Sequence, residues 1–141
     1  MSRKYEFVDI TPADVAFKAW GKTLDELFAN AAKAMFEVIV NTEQVEQRIE
    51  RELMLGGEDL PNLMFNWLNE LLYYVDAENL VFSYFEVSVD ESKLELRAKC
   101  RGEPIDPERH ELRTHVKAAT YHKLRVEKKD GLWEVFVLLD I

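Results

Sequence analysis

Cysteine is nearly absent: Cys100 stands alone among 141 residues, which excludes an internal disulfide framework and fits a reducing, cytoplasmic compartment. Five glycines and four prolines leave no linker, low-complexity stretch or repeat to divide the chain. No apolar run approaches the roughly 20 residues needed to cross a bilayer. Met1-Ser2-Arg3-Lys4-Tyr5-Glu6 lacks the apolar core of a secretion signal. Basic residues are scarce at the front, where residues 1–92 hold 7 Lys and Arg against 18 Asp and Glu, while residues 93–141 hold 11 against 9. At a formal net charge of −9 the chain is poorly matched to phosphate backbones, so no direct high-affinity nucleic-acid binding is expected. The acidic front suits a basic partner protein, or simply a solvated face that keeps the protein soluble. With 48% hydrophobic and 32% charged residues the composition is that of a folded soluble chain, and the length suits one domain over residues 1–141.

Periodicity supplies the elements. Tyr5 to Asp9 and Val15 to Trp20 are β-prone, with a turn expected at Thr11-Pro12 because proline cannot donate to a ladder. Thr23-Leu24-Asp25-Glu26 reads as a capping box, followed by an apolar face of Leu24, Leu27, Phe28, Ala31, Met35, Val38 and Ile39 at helical spacing. Residues 46–55 suggest a strand ended by Gly56-Gly57. Glu58-Asp59-Leu60-Pro61 opens a second helix whose apolar face includes Leu63, Met64, Trp67, Leu68, Leu71 and Leu72. Val81 to Val89 follows as a strand, and then Leu94, Leu96, Ala98 and Cys100 alternate with charged residues, the period of a sheet with one wet face. Val116 to Glu127 and Leu132 to Ile141 read as a hairpin turning at Lys129-Asp130-Gly131. The order β-β-α-β-α-β-β-β-β predicts an α+β fold, two helices packed on a largely antiparallel β-sheet.

No phosphate-cradling glycine loop, nucleophile elbow or Cys/His zinc spacing is present. Asp14 heads a β-segment and Asp140 is penultimate, beside a terminal carboxylate if the chain ends natively at Ile141. Adjacent anions at strand ends repel unless a cation offsets them, and an all-oxygen set suits Ca²⁺, Mg²⁺ or Mn²⁺. The plainer reading has Asp14 capping a turn and Asp140 in solvent. His110, His115 and His122 cluster in sequence, but His115 and His122 would face opposite ways on a strand, which favours surface or core-edge roles over a shared metal. Lys117 lies in an apolar-rich stretch, where it can pair with a carboxylate, grip a phosphate or snorkel from a sheet edge. Cys100 and Trp67 read as core.

Four segments in chain order resemble the archease family: Ala13-Asp14-Val15 with Ala19-Trp20-Gly21-Lys22-Thr23-Leu24, then Asn66-Trp67-Leu68-Asn69-Glu70-Leu71-Leu72, then Val116-Lys117-Ala118-Ala119-Thr120-Tyr121-His122, and finally Leu138-Leu139-Asp140-Ile141. The resemblance spans essentially the whole chain. It implies a non-enzymatic activator of the RtcB-type RNA-splicing ligase, which joins tRNA exon halves bearing 2′,3′-cyclic phosphate and 5′-hydroxyl ends. The activator's role would be to promote guanylylation of the ligase's active-site histidine, support multiple turnover and widen nucleotide use. The resemblance also implies a bound cation, Ca²⁺ by family custom, held by Asp14, Asp140 and the carboxy-terminal Ile141, with Lys117 as a functional candidate. One departure stands out: the family's His-Thr-Ala-Asp is here Thr11-Pro12-Ala13-Asp14, in a segment one residue longer, so the histidine is missing and Asp9 competes with Asp14 as a ligand. Two other classes remain open, a general chaperone or adaptor for RNA-processing enzymes and a metal-dependent phosphoesterase.

Overall fold

The structure is a computed structural model that describes residues 4–11 and 14–141, with the side chains of residues 9–11 also outside the description. The turn expected at Pro12 lies outside the described residues. Strands β1 (Tyr5–Thr11) and β2 (Asp14–Gly21) pair antiparallel, and the register shifts between Asp9 and Thr11, where β1 carries one more residue than its partner.

The first helix, α1 (Leu24–Ile39), starts as its sequence demands. Thr23 Oγ1 accepts the Glu26 N–H at 3.1 Å, and the Glu26 carboxylate takes the Lys22 N–H at 2.8 Å, so two open donors at the helix start are satisfied reciprocally. The predicted apolar face is buried throughout. At the other end, the Val38 and Ile39 carbonyls accept the N–H groups of Thr114 (3.0 Å) and Arg113 (2.8 Å), which fills acceptors that a helix end leaves open. A 3₁₀ turn (Thr42–Gln44) leads to β3 (Ile49–Gly56). Helix α2 (Leu60–Glu78) is capped by Asp59, carries Pro61 in its first turn and stops at Asn79 with φ 56°, a left-handed residue of the kind that ends helices.

Strands β4 (Leu80–Asp90) and β5 (Glu95–Pro104) complete a three-stranded sheet in the order β3-β5-β4. The alternation predicted for β5 holds within the strand, with Leu96, Ala98 and Cys100 buried and Glu95, Arg97 and Lys99 exposed, while Leu94 falls in the turn before it at φ 52°. The register of β4 shifts between Phe82 and Tyr84 opposite Gly102, where an added Cβ would stand 1.8 Å from the Val81 carbonyl oxygen, so no larger residue fits.

Strands β6 (Ala118–Ala119), β7 (Arg125–Lys129) and β8 (Leu132–Asp140) join β1 and β2 in a second, five-stranded sheet. The central strand β8 has β2 on one side and both β6 and β7 on the other. The β7–β8 hairpin turns at Asp130 (φ 52°) and Gly131 (φ 77°), the two positive φ values that a type I′ turn requires.

The predicted α+β class and element order are therefore observed, with two refinements. The antiparallel strands divide into two sheets, and the strand read over 116–127 is two segments. A turn separates them, with Lys123 at φ 58° and the Leu124 N–H bonded to the Tyr121 carbonyl at 3.0 Å. Both helices pack against both sheets around a core that includes fully buried Phe17, Phe28, Phe36, Met64, Trp67 and Phe82. The Trp67 indole N–H donates to the Phe28 carbonyl at 2.9 Å, so the largest buried side chain leaves no donor unmet. Among the described residues no helix is long and apolar enough to cross a membrane.

Candidate functional site

In the β2–β8 ladder Asp14 stands opposite Asp140, Ala16 opposite Leu138 and Lys18 opposite Phe136. Alternation sends Val135, Val137 and Leu139 into the main core, while Phe136 and Leu138 pack with Ala16 and Val8 on the other face. Asp14 and Asp140 continue that second face at its end. Directly opposed residues carry their Cβ atoms about 4.5–5.5 Å apart, so the two carboxylates share one corner of the sheet. Asp140 is exposed and Asp14 half-buried. The Ile141 side chain, next along the chain from Asp140, packs on the core.

The other flank of β8 brings in the late motif. Ala118 pairs with Asp140 and Ala119 with Leu139, and the Lys117 N–H donates to the Asp140 carbonyl at 2.8 Å. Lys117 is exposed. Asp14, Lys117, Asp140 and Ile141 thus gather at one end of the five-stranded sheet.

Opposed like charges across a ladder are unfavourable, and oxygen donors of this kind fit Ca²⁺, Mg²⁺ or Mn²⁺. Among the described residues no group of three or more His, Cys, Asp and Glu side chains is placed to hold a metal. Among the described residues, Asp14 and Asp140 are the two side-chain carboxylates that the β2–β8 register brings together here, with the main chain of Ile141 following Asp140. The side chain of Asp9, the competing ligand, lies outside the described residues.

The three histidines separate. His115 is exposed, 3.6 Å from Asp76, and His122 is exposed in the turn after β6. The two share no strand, because the segment between them bends. His110 is more than a core-edge residue: it is 4% exposed, and its Nε2 lies 2.8 Å from the carboxylate of Glu103, itself fully buried. Glu103 also accepts from Arg109 Nη2 at 2.5 Å, the Glu46 N–H at 2.8 Å and Arg48 Nη1 at 3.4 Å. Burial opposes the charge on Glu103, but these hydrogen bonds and the Arg109 charge outweigh it and hold the carboxyl at about 2. The cluster anchors the start of the segment that ends at Lys117. Farther along that segment, Arg113 and Thr114 are bound to the end of α1.

Sequence reading missed a second anchor. Asn69 on α2 donates from Nδ2 to the Ala119 carbonyl at 3.1 Å and accepts the Ala119 N–H at 3.0 Å on Oδ1. Asn62, Asn66 and Asn69 recur along one face of α2. Asparagine is a poor helix former, so three on one stripe was the available signal that this face binds main chain.

The archease protein family (MTH1598/TM1083) matches residues 5–141. The chain belongs to the archease family. Protein archease of Sulfurisphaera tokodaii is 44% identical over 139 residues, covering 99% of both chains. Protein archease of Pyrococcus furiosus is 42% identical over 142 residues, again covering 99% of each. Among solved structures, the solution structure of Methanobacterium thermoautotrophicum protein 1598 superposes with a TM-score of 0.86 at 43% identity, covering 98% of this chain and 99% of that one. An archease from Thermotoga maritima, described as a possible chaperone, shares the archease fold with a TM-score of 0.68 at 21% identity, covering 93% of each chain.

Proposed function

We propose that this archease is a non-enzymatic protein activator of an RtcB-type RNA-splicing ligase, acting in the cytoplasm. In this reading it promotes guanylylation of the ligase's active-site histidine, sustains multiple turnover and broadens nucleotide use. The observation that carries the reading is the register of β8: it joins the first and last family motifs at Asp14 and Asp140, and the late motif at Lys117. Asp14, Asp140 and a main-chain oxygen of Ile141 would hold a divalent cation, Ca²⁺ first and Mg²⁺ or Mn²⁺ as substitutes. When bound, such an ion supplies positive charge able to neutralise phosphate oxygens near the reacting nucleotide.

The chain's own residues do the rest. Asp14 and Asp140 present paired oxygens at an exposed corner. Lys117, with its main chain tied to β8, is exposed at the same end of the sheet, where its cation would meet a partner's nucleotide phosphates. The net charge of −9 favours approach to the basic surface that a ligase must present to RNA and GTP, and it disfavours binding RNA directly.

The test is ligation of RNA halves bearing 2′,3′-cyclic phosphate and 5′-hydroxyl ends by a cognate ligase, with the archease substoichiometric. Several products per ligase, against about one without the archease, is the expected result. No acceleration of an active cognate ligase refutes the reading. The description of the Thermotoga relative as a possible chaperone favours a second reading, a general chaperone or adaptor. It predicts instead that unrelated, aggregation-prone RNA-processing enzymes are protected equally.

A further inference from the structure

Strand β6 is two residues long and lies at the edge of its sheet, yet it sets the height of Lys117 against Asp140. On the β8 side it is held by the Lys117 N–H to the Asp140 carbonyl (2.8 Å) and the Thr120 N–H to the Leu138 carbonyl (3.0 Å). So short a strand has little ladder of its own. Its other main-chain groups, the N–H and C=O of Ala119, both go to the side-chain amide of Asn69. One donor and one acceptor reaching the same residue is what a neighbouring strand would provide. Here a helix side chain provides it and covers the sheet edge. Asn69 is itself oriented, since its Nδ2 also donates to the Phe65 carbonyl at 3.0 Å. Two more contacts from the same helix reinforce the grip: Phe65 stacks on Tyr121 with ring centroids 4.1 Å apart, and the Asn62 amide bonds the Tyr121 hydroxyl.

We infer that Asn69 is a positioning residue for the carboxylate–lysine corner, its amide standing in for a missing strand that keeps β6, and with it Lys117, in register with Asp140. The inference rests on the reading of that corner as the functional site. Only asparagine meets the need at this length. Aspartate keeps the acceptor but faces the Ala119 carbonyl with a charge, and alanine leaves both half-buried main-chain groups unmet.

The experiment is residue-resolved amide hydrogen exchange on the whole protein, with a Ca²⁺ titration, for the parent, Asn69→Ala, Asn69→Asp and Asn66→Ala. The last removes bonds from the same helix to the Gly56 carbonyl and the Asn62 side chain while leaving the Asn69–Ala119 pair intact, and serves as the matched control. The informative amides are those of Lys117 and Thr120, which bond to β8 and not to Asn69. Asn69→Ala is expected to speed their exchange about tenfold, the scale of one lost net hydrogen bond, and to weaken Ca²⁺ binding. Asn69→Asp should fall between, and Asn66→Ala should match the parent at both amides. Amides of Ala98 and Cys100 in β5 should be unchanged in every variant. Unchanged exchange at Lys117 and Thr120 overturns the inference, as does an acceleration shared equally by β5, which would mark a general loss of stability. If the parent binds no Ca²⁺, the metal reading fails, and the exchange data still decide the role of Asn69.

Discussion

Asp14 faces Asp140 directly across the β2–β8 ladder, so two carboxylates from opposite ends of the chain meet where Lys117 is also tied to β8. Saturating Ca²⁺ held between them should stabilise the folded state, by about 2.7 kcal/mol at 100-fold over the dissociation constant. The melting temperature of the parent should rise by about 5–10 °C for a chain of this size. Asp14→Asn and Asp140→Asn should each abolish the rise. Thermal unfolding with and without CaCl₂ reads this, and an undiminished rise in either variant would place the ion elsewhere.

Lys117 is exposed and its main-chain bond to Asp140 does not depend on its side chain. Lys117→Ala should leave stability within about 0.5 kcal/mol of the parent, as surface changes usually do. Ligase activation should nevertheless fall by at least about tenfold if the ammonium meets phosphate in the complex. Equal activation by parent and variant would remove Lys117 from the site.

Glu103 makes acid stability specific to one residue. Its carboxyl is held at about 2 in the folded protein, below the ordinary carboxylate value near 4.3 that applies after unfolding. Its contribution is therefore complete above the ordinary value and is lost as pH falls toward 2. The full amount is on the order of 3 kcal/mol, with more than half gone by pH 3. Urea denaturation at pH 7 and pH 3 should show the parent losing more stability than Glu103→Gln. The variant should already be weaker at pH 7 by roughly 3–5 kcal/mol, because His110 and Arg109 lose their buried partner. Parallel losses in both proteins would show that Glu103 carries no special share.

Cys100 is fully buried, and burial pushes its thiol up to about 12. At pH 8 the thiolate is then about one part in ten thousand, too little for reaction with a disulfide reagent in the native state. Labelling should proceed only at the rate of unfolding and become fast in denaturant. Rapid native labelling would contradict the packing of β5.

Much of the fold was legible because its signals are local. The Thr23–Glu26 cap, the Asp59–Pro61 helix start, the alternation of β5 and the Asp130–Gly131 hairpin each depend on a few neighbouring residues. The division into two sheets was not legible, because it depends on which distant strands pair, and periodicity is silent on that. Spacing made Asp14 and Asp140 a weak pair of strand-end carboxylates and the family resemblance grouped them, but that they stand directly opposite one another depends on strand register, which spacing does not give. Glu103 escaped notice, and His110 was read only as a surface or core-edge residue, for a related reason: the groups that bond Glu103 come from Glu46, Arg48, Arg109 and His110, on two segments far apart in sequence. Asn69 escaped because its partner, Ala119, contributes only main chain.

The most direct measurement follows the covalent guanylate on the histidine of a cognate RtcB-type ligase, with GTP and substoichiometric archease. The parent should speed guanylylation through repeated cycles, while Asp14→Asn and Asp140→Asn, folded as the parent is, should give the rate of the ligase alone. Equal acceleration by parent and variants, or none by the parent, would contradict the assignment of this corner as the activating site.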